Sequence, residues 1–291
     1  MANMRAIRSR IKSVQNTQQI TKTMKMVAAA NLRRTQSGMS AMRTFAAGTQ
    51  ALLDTLLAGG AQYDNALLQR REVRRVCYVL FVGNRGLCGM YNHALVRFLQ
   101  QLTREADHAC DVIVYGRWGR DVIAQSGLNV VDTYTEVSDT PSMPDALQLA
   151  DALRHRFLNG EADEVHLVYQ HFKSVLAQNP TDFRLLPAAP ETQRDGDEQP
   201  NEYIFEPDQE TILKNVLELY VNNTVLSVLL EAKTGEHAAR MTAMSAATDS
   251  TRELIASLRL HLNRARQAAI TTEINEIVGG ANALKKSKKK P

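Results

Sequence analysis

From Met4 to about Leu57 the less polar positions recur at alternating three- and four-residue steps: Met4, Ile7, Ile11, Val14, Gln18, Thr21, Met24, Ala28, Leu32, Thr35, Met39, Met42, Ala46, Thr49, Leu53 and Leu56. That spacing is a coiled-coil seam with polar interruptions and one stutter. A second seam follows the same rule near the other end, through Met241, Met244, Thr248, Thr251, Ile255, Leu258, Leu262, Ala265 and Ala269. Neither the first stretch nor Gln209 to Val278 contains proline, and glycine enters only at Gly38, Gly48 and Gly235. The pattern predicts a helix at each end of the chain, paired antiparallel. At 1.5 Å per residue a helix of about 54 residues is about 80 Å long, whereas a compact globule of this chain length has a radius of gyration of about 19 Å. At least one helix is therefore expected to project as a rod, which points to mechanics or scaffolding before it points to an active site. Alanine, threonine and methionine outnumber leucine and isoleucine in both seams, so the coil should be thin and only moderately stable by itself.

Between the seams the period changes. Val73 to Val82 is rich in β-formers, Asn92 to Ala106 is amphipathic, Asp111 to Tyr115 is a short apolar strand, Gly119 to Gln125 a short helix and Asn129 to Thr135 another strand. Ser142 or Asp145 can cap a helix ending at Phe157, with strands following at Glu164 to Phe172 and Thr181 to Leu186. The expected fold class is α/β: a long antiparallel coiled coil of the terminal helices plus a Rossmann-like domain with a mostly parallel sheet of about five strands, covered on both faces. The expected organisation is an N-terminal helix over 1–58, an α/β domain over 72–190, a mobile polar loop over 191–202, a C-terminal helix over 203–284 and a basic tail over 285–291.

Charge sharpens this picture. Nine basic residues, from Arg5 to Arg43, precede the first acidic one, Asp54, and five lysines cluster between Lys285 and Lys290. An Arg-rich, acid-poor start is also the mark of an organelle presequence, but the seam runs without a break past residue 50, which favours a helix of the mature protein. The partner of that basic helix should be acidic, whether protein, phospholipid or nucleic acid. With 44% hydrophobic residues the chain can build a core, and no apolar run reaches the roughly 18 residues of a membrane-spanning helix. Cys77, Cys88 and Cys110 stand at no metal-ligand spacing, and Cys77 and Cys110 read as buried thiols.

Candidate chemistry is sparse. Gly83, Gly86 and Gly89 in GNRGLCGMYN follow the first strand, but the spacing is GxxGxxG and not the GxGxxG that lets a backbone meet a pyrophosphate; no GxxxxGK[ST] loop exists either. Cys88 and His93 could be drawn as thiolate and base, although a structural thiol in a glycine turn is the simpler reading. His166 and His171 have opposite parity on one strand, which argues against a shared metal site. The terminal lysines could meet phosphates, yet the N-terminal helix carries no aromatic before Phe45 on which a base could stack.

Particular residues say more. IRSRIKSVQNTQQITKTMKMVAAANL (Ile7 to Leu32), RGLCGMYN (Arg85 to Asn92), YIFEPD (Tyr203 to Asp208), AARMTAMSAATD (Ala238 to Asp249) and ARQAAITTEINEIVGGANAL (Ala265 to Leu284) closely resemble the gamma subunit of F-type ATP synthases, in the same order and over nearly the whole chain. The last stretch, with Ile270, Thr271, Glu273, Glu276, Gly280 and Ala281, is the most specific. The resemblance implies a rotor stalk whose terminal helices stand inside a hexamer of alternating alpha and beta subunits, one copy per complex, with the α/β domain at the foot against the epsilon subunit and the membrane c-ring. It implies a non-catalytic subunit without cofactor, metal or nucleic acid, which couples ion flow to ATP synthesis and helps regulate ATPase activity, peripheral to the cytoplasmic side of a bacterial plasma membrane.

Residue by residue, the resemblance puts a contact with the beta catch loop on Arg266, Gln267, Thr271 and Glu273. It puts a contact with the acidic beta lever on Met24 and Lys25 with Arg240 on the facing helix, and the epsilon and c-ring foot on Arg85, Gly86, Leu87, Cys88, Tyr203 and Glu206. Family members commonly stop near the counterparts of Ala283 and Leu284, so KKSKKKP is an addition, expected to be a disordered basic appendage. Two other classes compete with the rotor: a nucleotide-dependent α/β enzyme with helical extensions, and a basic coiled-coil protein that binds nucleic acid or membrane.

Overall fold

The computed structural model describes residues 2–58, 65–123, 127–188 and 208–287. In chain order the elements are α1 (Ala2–Ala58), β1 (Arg75–Phe81), α2 (Tyr91–Glu105), β2 (Ala109–Tyr115), α3 (Arg117–Ile123), β3 (Asn129–Tyr134), α4 (Met143–Leu158), β4 (Glu164–Phe172), β5 (Gln178–Leu186) and α5 (Gln209–Ser287). The five strands form one sheet in the order β3-β2-β1-β4-β5. Pairings among the first four strands are parallel, and β5 runs antiparallel on β4 at the edge.

This topology follows from which residues need burying. Val76, Tyr78, Leu80 and Val82 project to one face, where Leu95 and Leu99 of α2 and Ile123 of α3 cover them. Cys77, Val79 and Phe81 project to the other, into a core shared with Leu149, Leu153 and Phe157 of α4 and with residues of α1 and α5. A strand buried on both faces reads as a continuous apolar run, which is how RVCYVLF appears in the sequence. Both expected caps of α4 are in use: Ser142 is the N-cap, and its backbone N–H donates to Oδ2 of Asp145 at 2.8 Å in a reciprocal capping box. Strand β5 begins at Gln178, three residues before the expected Thr181, and takes Pro180 into the ladder opposite Gln170. An edge strand tolerates a residue that cannot donate.

The chain divides into two compact units, one made of 1–26 with 244–291 and the other of 27–243. In the larger unit the seam of α1 meets α5 directly: Asn223 donates to Oγ1 of Thr49 at 3.3 Å, and Arg43 pairs with Glu231 at 2.6 Å. In the smaller unit Thr248 donates to Oγ1 of Thr21 at 2.9 Å and Lys25 donates to Oγ of Ser245 at 3.0 Å. Within each unit the residue number on α5 rises as that on α1 falls, so the pairing is antiparallel. Every seam position of α1 from Met4 to Leu56 is buried or half-buried, as is every seam position of α5 from Met241 to Ala269. Past Ala269, residues 270–281 of α5 are exposed. Helix α5 continues through Gly279 and Gly280, beyond the expected Leu284, and carries Lys285 and Lys286 to Ser287; residues 288–291 of the tail lie outside the described residues.

Candidate functional site: the loop after the first strand and its seat on the last helix

In a doubly wound sheet the chain leaves the first strand in one direction and returns on its other side, and the crevice at that switch is where ligands bind. Here the switch lies between β1 and β4. A segment of α5 fills it. Leu229, Ala232, Lys233 and Glu236 close over Phe81, Val82, Tyr91 and Tyr115, leaving a cavity of about 10 Å³, room for one water molecule. Tyr91 donates its hydroxyl to the carbonyl of Ala232 at 2.7 Å, and the backbone N–H of Phe172 donates to Oε1 of Glu231 at 2.7 Å. A nucleotide has no room there.

The loop that would have cradled a phosphate is shaped instead by α5. Gly83 donates its N–H to Oδ1 of Asn92 at 2.9 Å, and a side chain at Gly83 would begin 2.8 Å from the Glu236 carboxyl carbon. Arg240 reaches in from the helix: its Nη2 lies 3.1 Å from the carbonyl of Arg85, 3.4 Å from that of Gly86 and 2.7 Å from Oε1 of Glu236. Lys233 holds the other carboxylate oxygen at 2.9 Å. Burial alone would raise the Glu236 pKa, but the two cations, Lys233 first, outweigh it and hold the group below its ordinary value. At the tip Leu87 takes a left-handed backbone, φ 62°, two residues before Gly89 at φ 59°. That bend turns Leu87 outward, 62% exposed beside Met90 at 61%, and buries Cys88. Burial pushes the Cys88 thiol pKa up, against the lowering charge of Arg240. His93 lies edge-on to Trp118 with ring centroids 4.9 Å apart.

The residues expected to act therefore fall into distinct settings. Arg85, Gly86, Leu87 and Cys88 form one loop, and Arg240 is tied to that loop. Met24 is half-buried in the seam, and Lys25 is exposed and bonded to Ser245. Arg266, Gln267, Thr271 and Glu273 are exposed on α5, with Thr271 donating to the backbone carbonyl of Gln267 at 3.0 Å. Tyr203 and Glu206 lie outside the described residues. Lys233 and Glu236 were not anticipated. The signal was present in KTGEHAAR, where Lys233, Glu236 and Arg240 stand at i, i+3 and i+7, one charged line on a helix segment otherwise buried. Among the described residues no group of acidic, histidine or cysteine side chains could hold a metal ion, and no helix is long and apolar enough to cross a membrane.

The family model described as ATP synthase matches residues 3–284. The ATP synthase gamma chain of Desulfitobacterium hafniense is 44% identical over 98% of this chain and 100% of its own length, and that of Desulforamulus reducens is 43% identical over the same shares. The chain belongs to the ATP synthase gamma-chain family. Its fold is shared more widely than its sequence: a chain in the rotational-state-3 OSCP/F1/c-ring structure of the Euglena gracilis mitochondrial ATP synthase superposes with a TM-score of 0.72 at 21% identity, covering 100% of this chain and 97% of that one. As a gamma chain it is part of a membrane-associated complex. In this gamma chain the switch crevice of the α/β sheet is filled by the chain's own last helix.

Proposed function

We propose that this chain is the non-catalytic central shaft of a bacterial F-type ATP synthase, peripheral to the cytoplasmic side of the plasma membrane. It turns with the c-ring and drives shape changes at the catalytic beta subunits, for synthesis in one direction and hydrolysis in the other. The filled switch crevice carries this reading: a sheet that could have bound nucleotide is closed by the shaft helix itself, while the match to gamma chains spans the full length. In physical terms torque is a free energy that depends on rotation angle. An asymmetric shaft makes different contacts with three identical beta subunits and biases each towards a different nucleotide affinity.

On this reading Arg266, Gln267, Thr271 and Glu273 meet the catch loop of beta, and their exposure on α5 supports it, with Thr271 and Glu273 lying past the last covered seam position, Ala269. Met24 and Lys25 meet the acidic lever, and the run of basic residues on α1 gives that contact its electrostatic sense. The loop from Arg85 to Cys88, with Tyr203 and Glu206, faces epsilon and the c-ring. The test is reconstitution: the chain alone should turn over no ATP, and mixed with alpha and beta subunits it should yield a complex with ATPase activity. Failure to assemble with them sinks the rotor reading. Turnover by the purified chain would favour the enzyme.

A further inference from the structure

We infer that Arg240 is a positioning residue for the foot: it holds the 83–90 loop in the shape that presents Leu87 and Met90, and its effect on coupling passes through that loop. The inference rests on the rotor reading above and reassigns Arg240, which the family resemblance had put at the beta lever.

Four observations converge. The guanidinium is almost buried, with 12% of the side chain exposed, so little of it remains for a partner. Its Nη2 faces two consecutive loop carbonyls, those of Arg85 and Gly86, immediately before the left-handed residue. A left-handed leucine is disfavoured over a right-handed one, so the bend needs contacts that hold it. Third, Arg240 is aimed by Glu236 at 2.7 Å, and Glu236 is in turn held by Lys233, so the guanidinium is fixed by a buried relay on one face of α5. Fourth, the loop ends in exposed apolar side chains. Leu87 and Met90 lie on either side of Gly89 and are both exposed, a small apolar knob that a partner can bury. The hydrogen bonds of Arg240 to the loop go to the backbone that sets where these side chains point.

The helix and the loop are thereby joined at a charged contact 155 residues apart in sequence. Movement of α5 at this level pulls directly on the loop carbonyls, so this part of the helix and the loop move together. Arg240 does not have to meet a beta subunit for its loss to uncouple the motor.

The experiment compares the full-length chain with Arg240→Gln and Arg240→Lys. Hydrogen exchange reports the loop through the amides of Gly83 and Tyr91, which donate to Asn92 and to the Cys88 carbonyl. In Arg240→Gln these amides should exchange about tenfold faster, and affinity for purified epsilon should fall about tenfold, the scale of one hydrogen bond made by a charged group. Arg240→Lys keeps the charge beside Glu236 and should recover part of both effects. Unchanged protection of the loop together with unchanged epsilon affinity overturns the proposal. So does a defect seen only in ATP hydrolysis by the complex with alpha and beta, since that places Arg240 on the lever. If Arg240→Gln loosens the whole chain, exchange in α4 will rise with that in the loop, and Arg240→Lys then decides: no recovery of loop protection counts against the inference. Failure of the wild-type chain to assemble with alpha and beta is a separate outcome and removes the rotor reading instead.

Discussion

Nδ1 of His166 lies 2.9 Å from both carboxylate oxygens of Asp182, and Nε2 of the same ring lies 3.2 Å from Oε2 of Glu164. Both nitrogens face acceptors that have no hydrogen to give when ionised, so this geometry suits the doubly protonated ring. It fastens edge strand β5 to β4, beside the ring of Tyr78 and within reach of Arg184 through Glu164 at 3.9 Å. Burial by itself would lower the His166 pKa, but Asp182 and then Glu164 outweigh it and the net shift is upward.

The sign of the pH dependence follows. A pKa raised on folding contributes stability that is complete below the unfolded value of 6.5 and is lost as pH rises through the folded pKa. Urea unfolding of the chain at stepped pH from 6 upward should show that loss, and His166→Gln should flatten it while destabilising the low-pH state by about 1–2 kcal/mol. A wild-type profile that matches the variant's would show that the ring carries no such proton.

The thiols should differ in reactivity by burial. Burial pushes the Cys77 thiol up to about 12, while Cys110 is only partly covered and raised by burial and then by Asp111. Since the thiolate is the nucleophile, a maleimide at pH 8 should label Cys110 first, and Cys77 only on unfolding. Peptide mass spectrometry of the labelled chain reads the order directly, and early labelling of Cys77 would mean that the sheet opens far more often than its packing suggests.

Much of this architecture is legible in the sequence because it depends on local period. The seam positions are covered in both helices, and the strands up to β4 fall within two residues of their apolar runs. What was hidden is what depends on contact at long range. The start of β5 at Gln178, ahead of the expected Thr181, depends on its being an edge strand, where the missing N–H of Pro180 costs little. GNRGLCG lacks the spacing of a phosphate loop, and only the arrival of α5 shows why its first glycine is there: at Gly83 a side chain would strike Glu236. The resemblance put Arg240 with the beta-lever contact, and nothing in the sequence shows that its helix face turns towards Arg85.

Glycine at position 116 should be irreplaceable. Its φ of +129° lies where side chains are strained, and a Cβ there would collide with the backbone carbonyl of Val82, which cannot swing aside as a side-chain end could. Gly116→Ala should therefore cost about 3 kcal/mol or more, or prevent the α/β domain from forming. Gly48→Ala, with nothing within 4 Å of the added atom, should instead be neutral or stabilising by about 0.5–1 kcal/mol. Thermal melts of the two variants decide; similar losses would mean that helix propensity and sheet sterics have been misjudged.

Glu236 is the keystone of the loop's seat, since its two carboxylate oxygens answer two cations, Lys233 on one and Arg240 on the other. Removing its charge leaves both cations near each other with less than one full partner, and breaking a buried pair on one side costs about 3–5 kcal/mol. Glu236→Gln should approach that loss, whereas Lys233→Met together with Glu236→Gln should recover part of it, a coupling of about 1–3 kcal/mol in a double-mutant cycle. The pH signature has the opposite sign to that of His166. A carboxylate pKa lowered on folding contributes stability present above the unfolded value of 4.5 and lost as pH falls through the folded pKa, so the wild-type chain should lose its advantage over Glu236→Gln only in acid. Chemical denaturation at pH 7 and pH 4 measures both the cycle and the slope. Additive single and double variants at pH 7 would mean that Lys233 and Glu236 are solvated independently, and that the loop is seated by packing alone.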